Sequence, residues 1–272
     1  MAKPNIPIVQ DVFTLKSKEF VTPNYIRAVL TGNVELFKEA TLGDNNKIFV
    51  PPAGMTKVHM REYNSEKKEW VIPPENVRPF MRTYTHRAID LEKNELVIDF
   101  VNHGLEGPAS NWANTAEPGH ELGIAMKLTK KELFPPEDWY LLVGDATAIP
   151  VLSVILESLP ASTKGICLIE VHGKEDEQEL KTKANITFKW VHNPNPGEGN
   201  ALIDAVKKVD LPTHSKFGYV ACEFSSVKEI RNYLRKEQDW TKGELYAYSY
   251  WKHGCSENES AGSRREEKER DG

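Results

Sequence analysis

The run Arg82-Thr83-Tyr84-Thr85 sets an arginine, an aromatic and a hydroxyl along alternating strand positions. Gly107-Pro108-Ala109-Ser110-Asn111-Trp112-Ala113 follows it twenty-five residues on. An arginine forks onto a pyrophosphate. A tyrosine lies flat on a ring, and a threonine hydrogen-bonds a ring edge. In the second run Pro108 suits the first position of a helix, with Gly107 before it to let the backbone approach a ligand. The unpaired N–H groups of a first helical turn form an anion site, and Ser110 adds a hydroxyl there. Arg82–Thr85 alone is ordinary surface strand. The two runs together suggest a bound flavin dinucleotide, and hence electron transfer.

The first half of the chain reads as the short strands needed to hold these runs. Tyr25–Thr31, Lys47–Val50, Thr56–Met60, Met81–Ile89, Glu95–Val101 and His120–Met126 alternate or are β-branched, with Lys93-Asn94 as a turn and the charged Arg61–Lys68 as a hairpin tip. Six short strands and one short helix predict a small closed antiparallel barrel, since closure removes exposed edges. Lys130–Pro136 reads as a linker. Beyond it, apolar strands at Trp139–Val143, Gly165–Val171, Ile186–Val191, Phe217–Cys222 and Leu245–Trp251 alternate with helices at Ala146–Leu159, Asn200–Lys208 and Ser225–Arg235, the last capped by Ser225 or Ser226. That rhythm predicts a mostly parallel sheet covered on both faces. The predicted division is a barrel domain over 1–134, an α/β domain over 135–255, and a polar flexible tail over 256–272 with too little apolar surface to order itself.

Gly144-Asp145-Ala146-Thr147-Ala148-Ile149-Pro150 lies at a strand-to-helix turn. It is not a Gly-x-Gly-x-x-Gly fingerprint. It does put small residues and a hydroxyl at the carboxyl end of a strand, where open α/β sheets take ligands. Taken alone, it is equally a tight turn before a core helix. The end of the next strand, Glu170-Val171-His172-Gly173-Lys174, holds both a carboxylate, which favours NADH, and a base, which favours NADPH.

Four stretches in order resemble the siderophore-interacting proteins, a branch of the ferredoxin-NADP reductase superfamily. They are Met81–Arg87, Asp99–Gly104 continuing through Gly107–Ala113, Gly144–Pro150, and Tyr250-Trp251-Lys252-His253-Gly254. The resemblance spans most of the chain and implies a six-stranded FAD barrel followed by an NAD(P)H-type α/β domain. It implies that Arg82, with Thr83 beside it, pairs with the FAD phosphates, that Tyr84 stacks on the isoalloxazine, and that Thr85 reaches its polar edge. Val101, His103, Gly107, Ala109 and Ser110 would line the rest of the cofactor. His103 is equally a ring contact or a hydrogen-bonded strand-end histidine. Asp145, Thr147 and Ala148 become candidates for the nicotinamide edge. Many relatives have glycine where Cys222 stands, so the donor pocket departs from the pattern there.

The implied activity is reduction of a ferric siderophore, with electrons from NADH, NADPH or ferredoxin passing through FAD to Fe(III). Hard anionic oxygen ligands hold the trivalent ion far better than the divalent one. No protein ligand to iron is then needed. Lys47 and Lys252 match the family's basic positions for an anionic chelate, and Trp251 would border the flavin. The alternatives are a general flavoprotein reductase for another acceptor, and a flavin- or siderophore-binding module without turnover.

Composition bounds the partners. A net charge of −5 argues against a general nucleic-acid binder. No apolar run is long enough to span a bilayer. The N-terminus has no apolar signal region. Cys167, Cys222 and Cys255 match no zinc or iron–sulfur spacing and fit reduced thiols. No resident metal is expected, and the eight histidines form no His-x-x-x-His pattern. The expectation is a cytoplasmic monomer.

Overall fold

The computed structural model describes residues 8–270 and divides into two compact units, one ending at Lys131 and the other beginning at Glu132. In the first unit, β1 (Ile8–Thr22), β2 (Tyr25–Thr31), β3 (Asn45–Val50), β6 (Phe80–Asp90), β7 (Glu95–Val101) and β8 (Glu121–Lys127) close a barrel in the order β1-β2-β7-β6-β3-β8. Every neighbouring pair is antiparallel. The interior is apolar, with Phe13, Leu15, Ile26, Leu30, Ile48, Ile98, Phe100, Leu122 and Ile124 all buried. Short strands β4 (Glu62–Asn64) and β5 (Glu69–Val71) form a separate hairpin.

The barrel has the expected number of strands, but one member differs. Thr56–Met60 is not a strand. Its backbone is tied to Glu121 instead, through Glu121 N–H to the Thr56 carbonyl and Val58 N–H to the Glu121 carboxylate. The sixth place is taken by β1. Two bulges break its alternation, between Leu15 and Ser17 and between Phe20 and Thr22, and that hides it from period-two reading.

The second unit holds β9 (Trp139–Asp145), β10 (Lys164–Val171), β11 (Asn185–His192), β12 (Lys216–Glu223) and β13 (Leu245–Trp251) in the order β11-β10-β9-β12-β13, all parallel. Helices α2 (Ile149–Ser158), α3 (Ala201–Val206) and α4 (Phe224–Asn232) connect them. Leu141 and Val143 of β9 pack with α3 and α4. Leu142, on the opposite pleat face, is also fully buried, as a strand covered on both sides requires.

Helix α4 is capped by Glu223, whose carboxylate accepts from the Ser225 and Ser226 amides, and not by either serine. The strand runs straight into the helix, so its last residue occupies the cap position.

The polar tail is also helical. Helix α5 spans Glu257–Arg270. Ser256 and Glu259 form a reciprocal capping box, with Ser256 N–H to Glu259 at 2.8 Å and Glu259 N–H to the Ser256 hydroxyl at 3.4 Å. The buried Ser260 hydroxyl donates to the Ser256 carbonyl. Local capping supplies what the absent apolar stripe does not. Among the described residues no helix is long and apolar enough to cross a membrane.

Candidate functional site

Helix α1 (Pro108–Thr115) follows β7 by a short loop. Gly107 caps it at φ 76° and ψ 148°, a backbone conformation open to glycine and costly for other residues. Pro108 takes the first helical position, and no side chain caps the helix. The Asn111 amide is the first to bond back, to the Gly107 carbonyl at 3.1 Å. The Ala109 and Ser110 amides therefore lie in the first turn with no carbonyl behind them.

Ser110 is fully buried, and its hydroxyl holds the loop itself. It accepts from His103 N–H at 3.1 Å and donates to the Gly104 carbonyl at 2.7 Å. Asn114 reinforces the same loop through Asn102 and Gly104. Ser110 thus shapes the mouth of the helix, and its one donated bond is already made.

Arg82 and Tyr84 project from β6. Tyr84 packs on Phe100 of β7 with ring centroids 4.8 Å apart, and Phe100 packs on Trp112 of α1 at 5.8 Å. This aromatic ladder ties the strand carrying the arginine to the helix carrying the uncapped amides. Arg82 sits opposite Ile48 and makes a bond to the Met81 carbonyl. Thr83 faces Lys47 across the β3–β6 pair and accepts its ammonium. Thr85 is buried opposite Asn45. Val101 ends β7 opposite Tyr25. The buried indole N–H of Trp112 has no acceptor.

The first-turn amides, the Trp112 N–H and the Arg82 guanidinium, which gives one bond to the Met81 carbonyl, are all donors. A diphosphate-bearing flavin has the complementary chemistry, so the residues present fit FAD. Arg82, the Ala109 and Ser110 amides and Tyr84 are the groups that would hold it.

In the second unit, Asp145 ends β9 and is buried. It accepts from Thr147 N–H at 2.9 Å and from the Thr147 hydroxyl. Its other oxygen accepts from Trp251 Nε1 at 2.7 Å. Burial pushes its carboxyl above the ordinary range against these bonds. Ala148 is fully buried, and Gly144 is tightly enclosed: a methyl added there would lie 2.6 Å from Ala148 Cβ.

Beside Asp145, Glu223 accepts from His253 N–H at 3.1 Å. Trp251 and His253 are thus both held by buried carboxylates on neighbouring strands. Lys252 between them lays its ammonium over the Phe224 ring at 4.9 Å. Sequence reasoning did not assign Glu223 a role. Glu170, the register partner of Asp145 on β10, is pushed up to about 7 by burial first and then by the charges of Asp145 and Glu223. Cys222 is buried, and burial raises its thiol, as expected of a packed cysteine.

The chain is thus a closed antiparallel barrel joined in sequence to a five-stranded parallel α/β unit, the two-unit architecture of an FAD-binding domain followed by a nucleotide-type sheet. Residues 14–126 match the siderophore-interacting FAD-binding domain, and residues 137–254 match the siderophore-interacting protein family. The ferric vibriobactin reductase of Vibrio cholerae serotype O1 is 35% identical over 246 residues, covering 88% of each chain. The chain belongs to the siderophore-interacting protein family.

Two solved structures agree. The siderophore-interacting protein SipS from Aeromonas hydrophila is 30% identical, with a TM-score of 0.80 over 96% of this chain and 98% of that one. A siderophore utilization protein from T. fusca is 27% identical, with a TM-score of 0.73 over 92% and 95%.

Proposed function

We propose that the protein is an FAD-dependent reductase of ferric siderophores. It takes electrons from NAD(P)H, or from ferredoxin, and delivers them through flavin to Fe(III), so that Fe(II) is released in the cytoplasm. The observation that carries this reading is the uncapped mouth of α1, coupled by the Tyr84–Phe100–Trp112 ladder to the strand bearing Arg82. Membership of the siderophore-interacting family and the likeness to a ferric vibriobactin reductase support the choice of substrate.

Bound flavin supplies the conversion of a hydride into single electrons. The chain supplies the rest. Arg82 would pair with the diphosphate, and the Ala109 and Ser110 amides would donate to it. Tyr84 would stack on the ring, Thr85 would reach its polar edge, and Val101 and His103 would line the rest of it. Ser110 keeps the His103–Gly104 loop in shape at the start of α1. Asp145 and Thr147 shape the turn at which the nicotinamide is received, with Ala148 as packing beneath it. Lys47 on the first unit and Lys252 on the second are each basic candidates for an anionic chelate, and the Trp251–Asp145 bond anchors the backbone next to Lys252. Reduction by one electron weakens the hold of hard oxygen ligands on iron, so no protein ligand to the metal is required.

The test is anaerobic reduction of the purified yellow protein by NADH, NADPH and ferredoxin in turn, followed by a ferric catecholate or hydroxamate with an Fe(II)-specific dye present. The reading expects flavin reoxidation matched by dye-bound Fe(II). A colourless protein that takes up no FAD, or a reduced flavin that ferric chelates leave untouched, overturns it.

A further inference from the structure

On the flavoprotein reading above, we propose that the nicotinamide donor is NADH and that Glu170 is the residue that sets the choice against NADPH.

The chain leaves β9 toward β10 on one side and returns with β12 on the other. This reversal is the switch point at which open α/β sheets receive nucleotides beyond their carboxyl ends. The Asp145-Ala146-Thr147 turn closes β9 at that point. One strand away, Glu170 is the register partner of Asp145, so it stands at the carboxyl end of β10 and is half-buried there. A carboxylate in this position accepts from the 2′-hydroxyl of the adenine-side ribose. NADPH carries a phosphate on that oxygen and calls for a cation, commonly arginine.

The surroundings offer NADPH little. The sequence has no arginine from residue 88 to residue 230, so β9, β10, β11 and their connections contain no guanidinium. The chain after β10, His172-Gly173-Lys174-Glu175-Asp176-Glu177, sets three carboxylates against one lysine. The nearby imidazoles face carboxylates already: His172 lies 3.7 Å from Glu175, and His192 lies 2.8 Å from Glu177. A phosphate dianion would face Glu170 with Asp145 and Glu223 behind it. A ribose hydroxyl would instead give Glu170 a hydrogen bond.

The experiment measures binding apart from turnover. The purified flavin-loaded protein is titrated calorimetrically with ADP-ribose and with 2′-phospho-ADP-ribose, and flavin bleaching by NADH and NADPH is followed anaerobically in parallel. Wild type is expected to favour ADP-ribose and NADH by about tenfold or more. Glu170→Gln should shrink that ratio roughly fivefold by weakening ADP-ribose, and Glu170→Lys should invert it, with flavin content and circular dichroism of both variants unchanged.

Tighter binding of the phosphorylated probe by wild type overturns the proposal, and so does an unchanged ratio in Glu170→Gln. If neither probe binds while ferredoxin still reduces the flavin, the donor inference falls and the flavin reading stands. If the protein takes up no FAD yet discriminates the probes as expected, the reverse holds.

Discussion

Trp251 and Asp145 are 106 residues apart in sequence, yet the indole N–H donates to the buried carboxylate at 2.7 Å. The bond crosses from the end of β13 to the end of β9. With the Glu223–His253 bond, it fixes the backbone on either side of Lys252.

Trp251→Phe keeps the ring and removes the donor. It is expected to leave one oxygen of Asp145 unsatisfied, at a cost of about 1–3 kcal/mol. Urea unfolding measures the loss. The variant should retain flavin and raise the KM for an anionic ferric chelate, because Lys252 loses one of its two anchors. An unchanged midpoint and an unchanged KM together would show that the bond is incidental.

Gly107→Ala places a methyl on a backbone at φ 76° and ψ 148°, and 3.4 Å from the His103 ring. The strained conformation costs on the order of 1–3 kcal/mol. The helix mouth is expected to deform rather than hold its shape. Flavin should dissociate roughly tenfold more readily, since about 1.4 kcal/mol is a factor of ten. Fluorescence of released FAD reads this directly, and Arg82→Ala is expected to act in the same direction.

Asp99 is a buried carboxylate of the barrel. Arg27 meets it with two bonds, at 2.7 and 2.8 Å, and the Tyr25 hydroxyl adds a third at 3.0 Å. Removing the carboxylate leaves a guanidinium and a phenol without their acceptor. Asp99→Ala is expected to cost about 3–5 kcal/mol, seen as a fall in the unfolding midpoint. Lys16→Ala, at an exposed pair with Glu95, should change it by less than about 1 kcal/mol.

Two groups give opposite pH dependences. His86 is buried, with Nε2 against the Thr41 carbonyl, and burial lowers it to about 4. The unfolded chain therefore takes up that proton first as pH falls. Stability is full above the ordinary value of 6.5 and is lost between 6.5 and about 4, by roughly 3 kcal/mol. His86→Gln should flatten that acid limb. Glu170 is raised to about 7 from 4.5. Its contribution is present at low pH and is lost as pH rises through that window. Glu170→Gln should therefore gain stability over wild type at pH values above about 7 and show no such gain near the lower limit. Denaturant titrations across pH check both signs.

Lys47→Ala and Lys252→Ala are each expected to raise the KM for an anionic chelate about threefold to tenfold, with little change in flavin reduction by the donor. The effect should shrink as salt is added, because exposed charges are screened within about 8 Å at physiological ionic strength. A rise that salt leaves untouched would point to packing rather than charge.

Much of the fold was legible because hydrophobic periodicity is local. β2, β7 and β13 stand where alternation and β-branching put them. The change from strands joined by turns to continuous apolar strands alternating with helices announced the second unit. The first-turn chemistry of α1 was also legible, since Gly107-Pro108 carries its own backbone constraint. β1 was not, because its bulges destroy the period. Thr56–Met60 has the pattern of a strand without a ladder partner. The tail read as unstructured from its missing apolar residues, although Ser256 and Glu259 carry a capping box that hydrophobicity cannot register.

By itself, the sequence determined which short segments would be strand or helix and where glycine, proline and arginine could serve a dinucleotide, since these follow from bonds and sterics within a few residues. Tertiary structure alone decided that Asp145 holds Trp251, that Glu223 holds His253, and that Glu170 stands beside Asp145. Those facts depend on which strands are neighbours. Strand order is settled by burial of the whole sheet, and no local pattern records it.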